Sequence, residues 1–148
     1  MKRPLLVVVF LATFAGAGCS KLLTSQNSPT PSATPQAMTG SWASLASSTS
    51  TNTCTDFHWT ITELTGTTGA GTFTAKCLGN MPIAGTATGT LSGTTVNWSA
   101  TATGTSNGVS CPVALTGTAT FDGAQFRIPY SGTTCLGPIS GTEILRKS

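Results

Sequence analysis

The chain is 148 residues long and only 7% of it is charged, with seven Lys and Arg against four Asp and Glu. So few cations form no basic stripe, which argues against a nucleic-acid partner. Seventeen glycines and many Thr and Ser residues take over the solvent-facing role, and threonine, being β-branched, suits strands.

Met1-Lys2-Arg3 is a short cationic stretch, residues 4–14 (PLLVVVFLATF) are an apolar run, and Ala15-Gly16-Ala17-Gly18 is a run of small side chains followed at once by Cys19. This is the order of a secretory signal: cations stay inside, a short apolar helix enters the translocase, and small residues fit the peptidase. The run is short for a membrane-spanning helix. A cysteine directly after the small residues resembles the lipobox of bacterial lipoproteins, although Gly16 stands where leucine is usual. The resemblance implies removal of residues 1–18, acylation of Cys19 and attachment to a membrane. It also gives the odd one of five cysteines a purpose. The alternative is an ordinary secreted protein cut near Ala17. Ser20 after the cysteine resembles outer-membrane sorting, so the expected location is the bacterial cell envelope, at the outer membrane or cell surface.

After removal of the signal, five cations (Lys21, Lys76, Arg127, Arg146, Lys147) face four carboxylates (Asp56, Glu63, Asp122, Glu143). Residues 19–37 read as a disordered tether, with Pro29, Pro31 and Pro35 among polar residues and almost nothing to bury. Residues 38–148 then form one domain.

Over 38–148 helical periodicity is absent, while two-residue alternation and glycine-containing turns recur. The pattern predicts strands over about 39–46, 55–64, 70–78, 82–91, 94–104, 111–121, 124–133 and 138–147. The fold expected is all-β: about eight antiparallel strands in an up-and-down β-barrel, with an open β-sandwich as the alternative. The turn Leu91-Ser92-Gly93-Thr94 places Gly89 opposite Val96, Ala87 opposite Trp98, Gly85 opposite Ala100 and Ile83 opposite Ala102. The turn Phe121-Asp122-Gly123-Ala124 places Ala119 opposite Phe126, Gly117 opposite Ile128 and Leu115 opposite Tyr130.

Cys54, Cys77, Cys111 and Cys135 in an exported domain predict two disulfides, with three connectivities open. There is no C-x-x-C pair and His58 is the single histidine, so no metal site is expected. The second register puts Cys111 opposite Thr134, and one bulge near Pro129 or Gly132 brings it to Cys135. Cys54–Cys77 follows by elimination, although a five-residue loop leaves Cys54 beyond the end of its ladder. In up-and-down order all four cysteines fall at the end far from the tether. The long connections 47–53, 105–110 and 134–137 fall there too.

Gly40-Ser41-Trp42 at the start of the domain and Arg146 near its end resemble the calycin superfamily of lipocalins, fatty-acid-binding proteins and avidins. There a Gly-x-Trp opens the first strand and a basic residue of the last strand stacks on the tryptophan. The resemblance covers about 110 residues through strand count, topology and these two anchors. It implies a closed barrel that binds rather than catalyses, with ligand entering at the end opposite the N-terminus.

No catalytic residue and no cofactor is expected. His58 beside Asp56 is the one grouping with acid–base potential, but Phe57, Trp59 and Ile61 take the inner face, which leaves His58 outside. Nothing in the sequence places Glu63 near Glu143. The inward aromatics Trp59, Trp98, Phe73, Phe126 and Tyr130 are either a packed core or the lining of a ligand slot. A buried Tyr130 hydroxyl wants a partner, which a ligand could supply. Three functions follow: binding of a small apolar ligand or a partner protein at the far end, protease inhibition by the tether or the 47–53 loop, or a structural role. A cavity of a few hundred cubic ångströms between the 47–53 and 105–110 loops would mark a ligand. A filled barrel with an apolar rim would mark a protein.

Overall fold

The computed structural model describes residues 35–45 and 52–148. The expected signal, Cys19, most of the tether and residues 46–51 lie outside the described residues. The last tether positions enter a helical turn, α1 (Pro35–Met38), whose Met38 is buried. Eight strands follow: β1 (Gly40–Ser44), β2 (Cys54–Thr65), β3 (Thr68–Cys77), β4 (Met81–Ser92), β5 (Thr95–Ser106), β6 (Val109–Phe121), β7 (Gln125–Thr134) and β8 (Gly137–Lys147). Each pairs antiparallel with the next, and β1 pairs with β8, so the sheet closes into a barrel in chain order. The open sandwich is thereby excluded.

Alternation drives the fold. Phe57, Trp59, Phe73, Ile83, Trp98, Val113, Leu115, Phe126, Tyr130 and Leu145 point inward and are buried. The outer wall is hydroxyl-rich. One row runs Thr88, Ser99, Thr116, Ser131 and Ser140 across five strands. Such a wall suits water rather than the apolar band that a lipid-facing barrel carries.

The registers differ from the sequence-based expectation by two residues. Leu91 pairs with Val96 and Gly89 with Trp98, because the turn is Gly93-Thr94 rather than Ser92-Gly93. Gly93 has φ +61, which suits the first central position of a II′ turn. Phe121 pairs with Phe126 for a related reason. The Asp122 carboxylate accepts the backbone N–H groups of Ala124 and Gln125, both at 2.9 Å, so Asp122 caps the turn from its edge and Gly123-Ala124 occupy the centre. Those two N–H groups hold the Asp122 carboxyl below its ordinary range. A slip of two preserves which face each residue takes, so the inward set is unchanged.

The disulfides are Cys54–Cys77 and Cys111–Cys135. The first lies directly across a pair of ladder partners, Cys54 opposite Cys77. No five-residue loop intervenes: Thr65 pairs with Thr68 around Gly66-Thr67. Two bulges in β2, between Thr55 and His58 and between Ile61 and Glu63, absorb the extra residues. The first contains Asp56 at φ +53 and lets both Cys54 and Phe57 face inward. The second disulfide needs no bulge in β7. Cys135 sits in the two-residue turn that links Thr134 to Gly137.

Two connections expected to be long are therefore tight. Ser106 pairs with Val109 around Asn107-Gly108, whose φ values of +50 and +78 suit a type I′ turn. Lys147, not Arg146, lies over Trp42, with Nζ 5.6 Å from the ring centroid. Leu145 faces inward, so parity turns Arg146 outward, where it is exposed between Ala43 and Gln125.

Candidate functional site: an apolar slot at the N-terminal rim

β1 enters the barrel from the N-terminal side, so the β2–β3, β4–β5 and β6–β7 turns form one rim and all four cysteines lie at the other. The Cys54–Cys77 disulfide, Phe57, Met81, Ile83, Ile139 and Tyr130 are all buried there. The apolar cavity lies at the N-terminal end instead and has a volume of ≈ 80 Å³. The slot lies at the rim opposite the one where ligand entry was expected, and its volume is well below the few hundred cubic ångströms set for a full ligand pocket.

Small residues make the slot. Gly69 and Gly71 on β3 and Ala87 and Gly89 on β4 leave the wall without bulk, and Leu91 and Val96 close it near the β4–β5 turn. Trp59 and Trp98 meet edge to face across it, centroids 5.2 Å apart at 89°. On the other side Trp42 packs edge-on against Phe126 at 4.7 Å, with Met38 and Leu145 beside them. The Trp42 indole N–H donates to the Met38 carbonyl at 2.9 Å, which fixes the helical turn over the rim. Lys147 Nζ donates to the Ala37 carbonyl at 3.2 Å.

Of the five aromatics singled out in the sequence, Trp59, Trp98 and Phe126 line this slot. Phe73 does not. It stacks behind Trp59 at 5.0 Å. Tyr130 lies toward the cysteine end, and its hydroxyl needs no ligand: it accepts the Cys54 N–H at 2.6 Å and donates to the Cys54 carbonyl at 2.7 Å. Burial pushes its pKa up to about 12. His58 is exposed on the outer wall. Asp56 forms an ion pair with Lys76 at 2.9 Å, half exposed and so of little energetic weight. A shallow outer depression of ≈ 470 Å³ runs past these residues and Thr74, Thr103 and Thr105.

Glu143 is an interior group that alternation alone does not reveal. It is 3% exposed, faces the barrel interior from β8, and accepts a hydrogen bond from Ser44 Oγ at 2.7 Å. Ser44 Oγ in turn accepts the Phe57 N–H at 2.9 Å. The chain of bonds ties β8 to β1 and β2 where β1 is shortest. Burial raises the carboxyl pKa above 4.5 despite the serine bond, so the folded state holds the proton more tightly than the unfolded chain. Stability from this group is therefore full below pH 4.5 and declines as pH rises through the elevated folded value. Glu143→Gln, which keeps the serine contact without a charge, is expected to raise the melting temperature at pH 7 and to flatten that decline. Melting curves from pH 4 to 8 check this; a Gln variant less stable than wild type at pH 7 would contradict it.

No protein-family model, curated protein or solved structure matches the chain. The fold and site by themselves define a disulfide-stapled, closed eight-stranded barrel with an apolar slot at the end where the chain enters.

Proposed function

We propose that this protein is a non-enzymatic lipoprotein of the bacterial envelope, anchored through acylated Cys19, whose barrel binds a small apolar ligand at its N-terminal rim. The observation that carries the ligand reading is the slot: a concave, aromatic-lined space with an almost wholly apolar wall. Its ≈ 80 Å³ suits a ligand of a few heavy atoms, or the end of a longer chain that leaves by the mouth. Strand order and the Gly40–Trp42 opening support a calycin-like reading, with Lys147 supplying the cation over Trp42.

The anchor and the ligand are tested separately. Cys19→Ser is expected to move the protein from the membrane to the soluble fraction; continued membrane partition would remove the anchor. Native mass spectrometry of the released protein is expected to show a small bound molecule that is absent from Ala87→Leu, in which a larger side chain fills the slot. Bare protein mass in both would count against the ligand.

A partner protein at the cysteine end is the second reading. Val109, the first residue of β6, and Leu136, in the β7–β8 turn, are 68% and 59% exposed and stand beside the Cys111–Cys135 disulfide. Protease inhibition through the tether or the 47–53 loop falls mostly on residues outside those described.

A further inference from the structure

The two disulfides differ in what solvent can reach. Cys54 and Cys77 are both fully buried and lie opposite each other in the β2–β3 ladder. Cys111 is also fully buried, with the inward parity of Val113 and Leu115 on β6. Its partner Cys135 is exposed, in the two-residue turn between β7 and β8. Thiol–disulfide exchange begins when a thiolate reaches one sulfur of the bridge, and access helps decide which. Cys111 presents no accessible surface, so attack there is blocked. The side of Cys135 that points away from Cys111 faces solvent.

The surroundings also receive the leaving group. The Cys135 backbone N–H donates to Cys111 Sγ at 3.2 Å, so a donor already faces the sulfur on which negative charge collects. The turn has its own bonds and does not depend on the bridge. Thr134 Oγ1 donates to the Gly137 carbonyl and accepts the Leu136 N–H, both at 3.0 Å, and Thr134 pairs with Gly137 in the ladder. Cys135 therefore stays beside Cys111 once the bridge opens, which favours closing it again. Residues 109–113 and 133–137 carry no charge, so neither segment selects thiols by sign.

We propose that Cys135 is a thiol-exchange site, where a low-molecular-weight thiol forms a reversible mixed disulfide. The thiolate attacks Cys135 Sγ and a new S–S bond forms. The Cys111–Cys135 bond breaks, and its electron pair leaves on Cys111 Sγ, which takes a proton from water. The incoming thiol is thereby oxidised to the disulfide level and Cys111 is reduced to a thiol. Attack of Cys111 on Cys135 reverses the step and expels the thiolate. The site lies at the opposite end of the barrel from the apolar slot and does not rest on the ligand reading.

The probe is 2-mercaptoethanol. Folded protein is exposed to it for timed intervals at mildly alkaline pH and quenched in acid. It is then alkylated with N-ethylmaleimide in mildly acidic urea and mapped by peptide mass. The expected early product carries mercaptoethanol on Cys135 and maleimide on Cys111, with Cys54–Cys77 intact. Cys111–Cys135 is expected to open at least roughly a hundredfold faster than Cys54–Cys77, whose sulfurs a thiol reaches only when the fold opens. An adduct on Cys111 would overturn the proposal, as would maleimide on both residues with no adduct at any interval. Loss of both bridges at one rate, or a rate that stays fixed as thiol concentration rises, would overturn it too, since each places unfolding ahead of exchange.

Discussion

Removal of both disulfides is expected to unfold the barrel at 37 °C. Each bridge closes a loop of similar length, with sequence separations of 23 and 24. The chain-entropy cost of leaving such a loop open is about 3.5 kcal/mol. Two bridges together reach about 7 kcal/mol, comparable with the whole stability of a typical domain. The two are not equivalent. Cys54 and Cys77 are fully buried, so Cys54→Ala with Cys77→Ala also loses packing and is expected to cost more than Cys111→Ala with Cys135→Ala. Cys135 is exposed in its turn, so a reductant should open that bridge first. Urea unfolding of the two double variants and of the reduced protein measures each step. A fully reduced protein whose stability falls by less than about 1 kcal/mol would contradict this account of the stapled rim.

Gly132→Ala and Gly85→Ala are expected to destabilise by about 3 kcal/mol or more, against the propensity scale. In an ordinary strand alanine improves on glycine by roughly 0.5–1 kcal/mol. Here the neighbouring strand is too close. A Cβ on Gly132 would run into the Ala114 carbonyl oxygen and come within 2.7 Å of Leu115 Cδ2. A Cβ on Gly85 would meet the Thr101 carbonyl oxygen and lie 2.7 Å from Ala102 Cβ. Backbone oxygens held in a closed ladder cannot yield as a flexible side chain can. These glycines let strands bend tightly enough to close a narrow barrel. Gly69→Ala is the contrasting case: its nearest contact is Leu64 Cδ2 at 3.1 Å, a side-chain tip that can move. Thermal melts of the three variants should place Gly69→Ala close to wild type and the other two far below it. Equal effects in all three would remove the close-approach argument.

How much of this was legible in the sequence depends on parity. The inward set survives a register slip of two, so Trp98, Phe126 and Leu115 are placed inside the barrel even though the hairpin partners named for them were displaced. Strand number and order were legible for the same reason. Turn chemistry was less so. Asn107-Gly108 is a strong hairpin signal, yet the polar residues around it look like a long loop.

The slot itself was hidden in plain composition. Gly69, Gly71, Ala87 and Gly89 are small residues on the inner wall, and alternation alone does not say whether neighbouring aromatics fill the space beside them. Glu143 was illegible because a charged residue in an alternating pattern reads as outward. Its inward place depends on Ser44 and the short β1, which only the closed barrel brings together. Arg146 and Lys147 differ by one position, and one step of parity decides which of them reaches Trp42.

Methyl-resolved NMR of the protein under xenon pressure asks where the interior accepts an apolar guest. The structure predicts shifts confined to the N-terminal end, at the methyls of Leu64, Leu91, Val96, Ile128 and Leu145, with Ile83, Val113 and Ile139 unmoved. Shifts centred on the cysteine end, or no saturable shift anywhere, would contradict a binding slot beside the point where the chain enters the barrel.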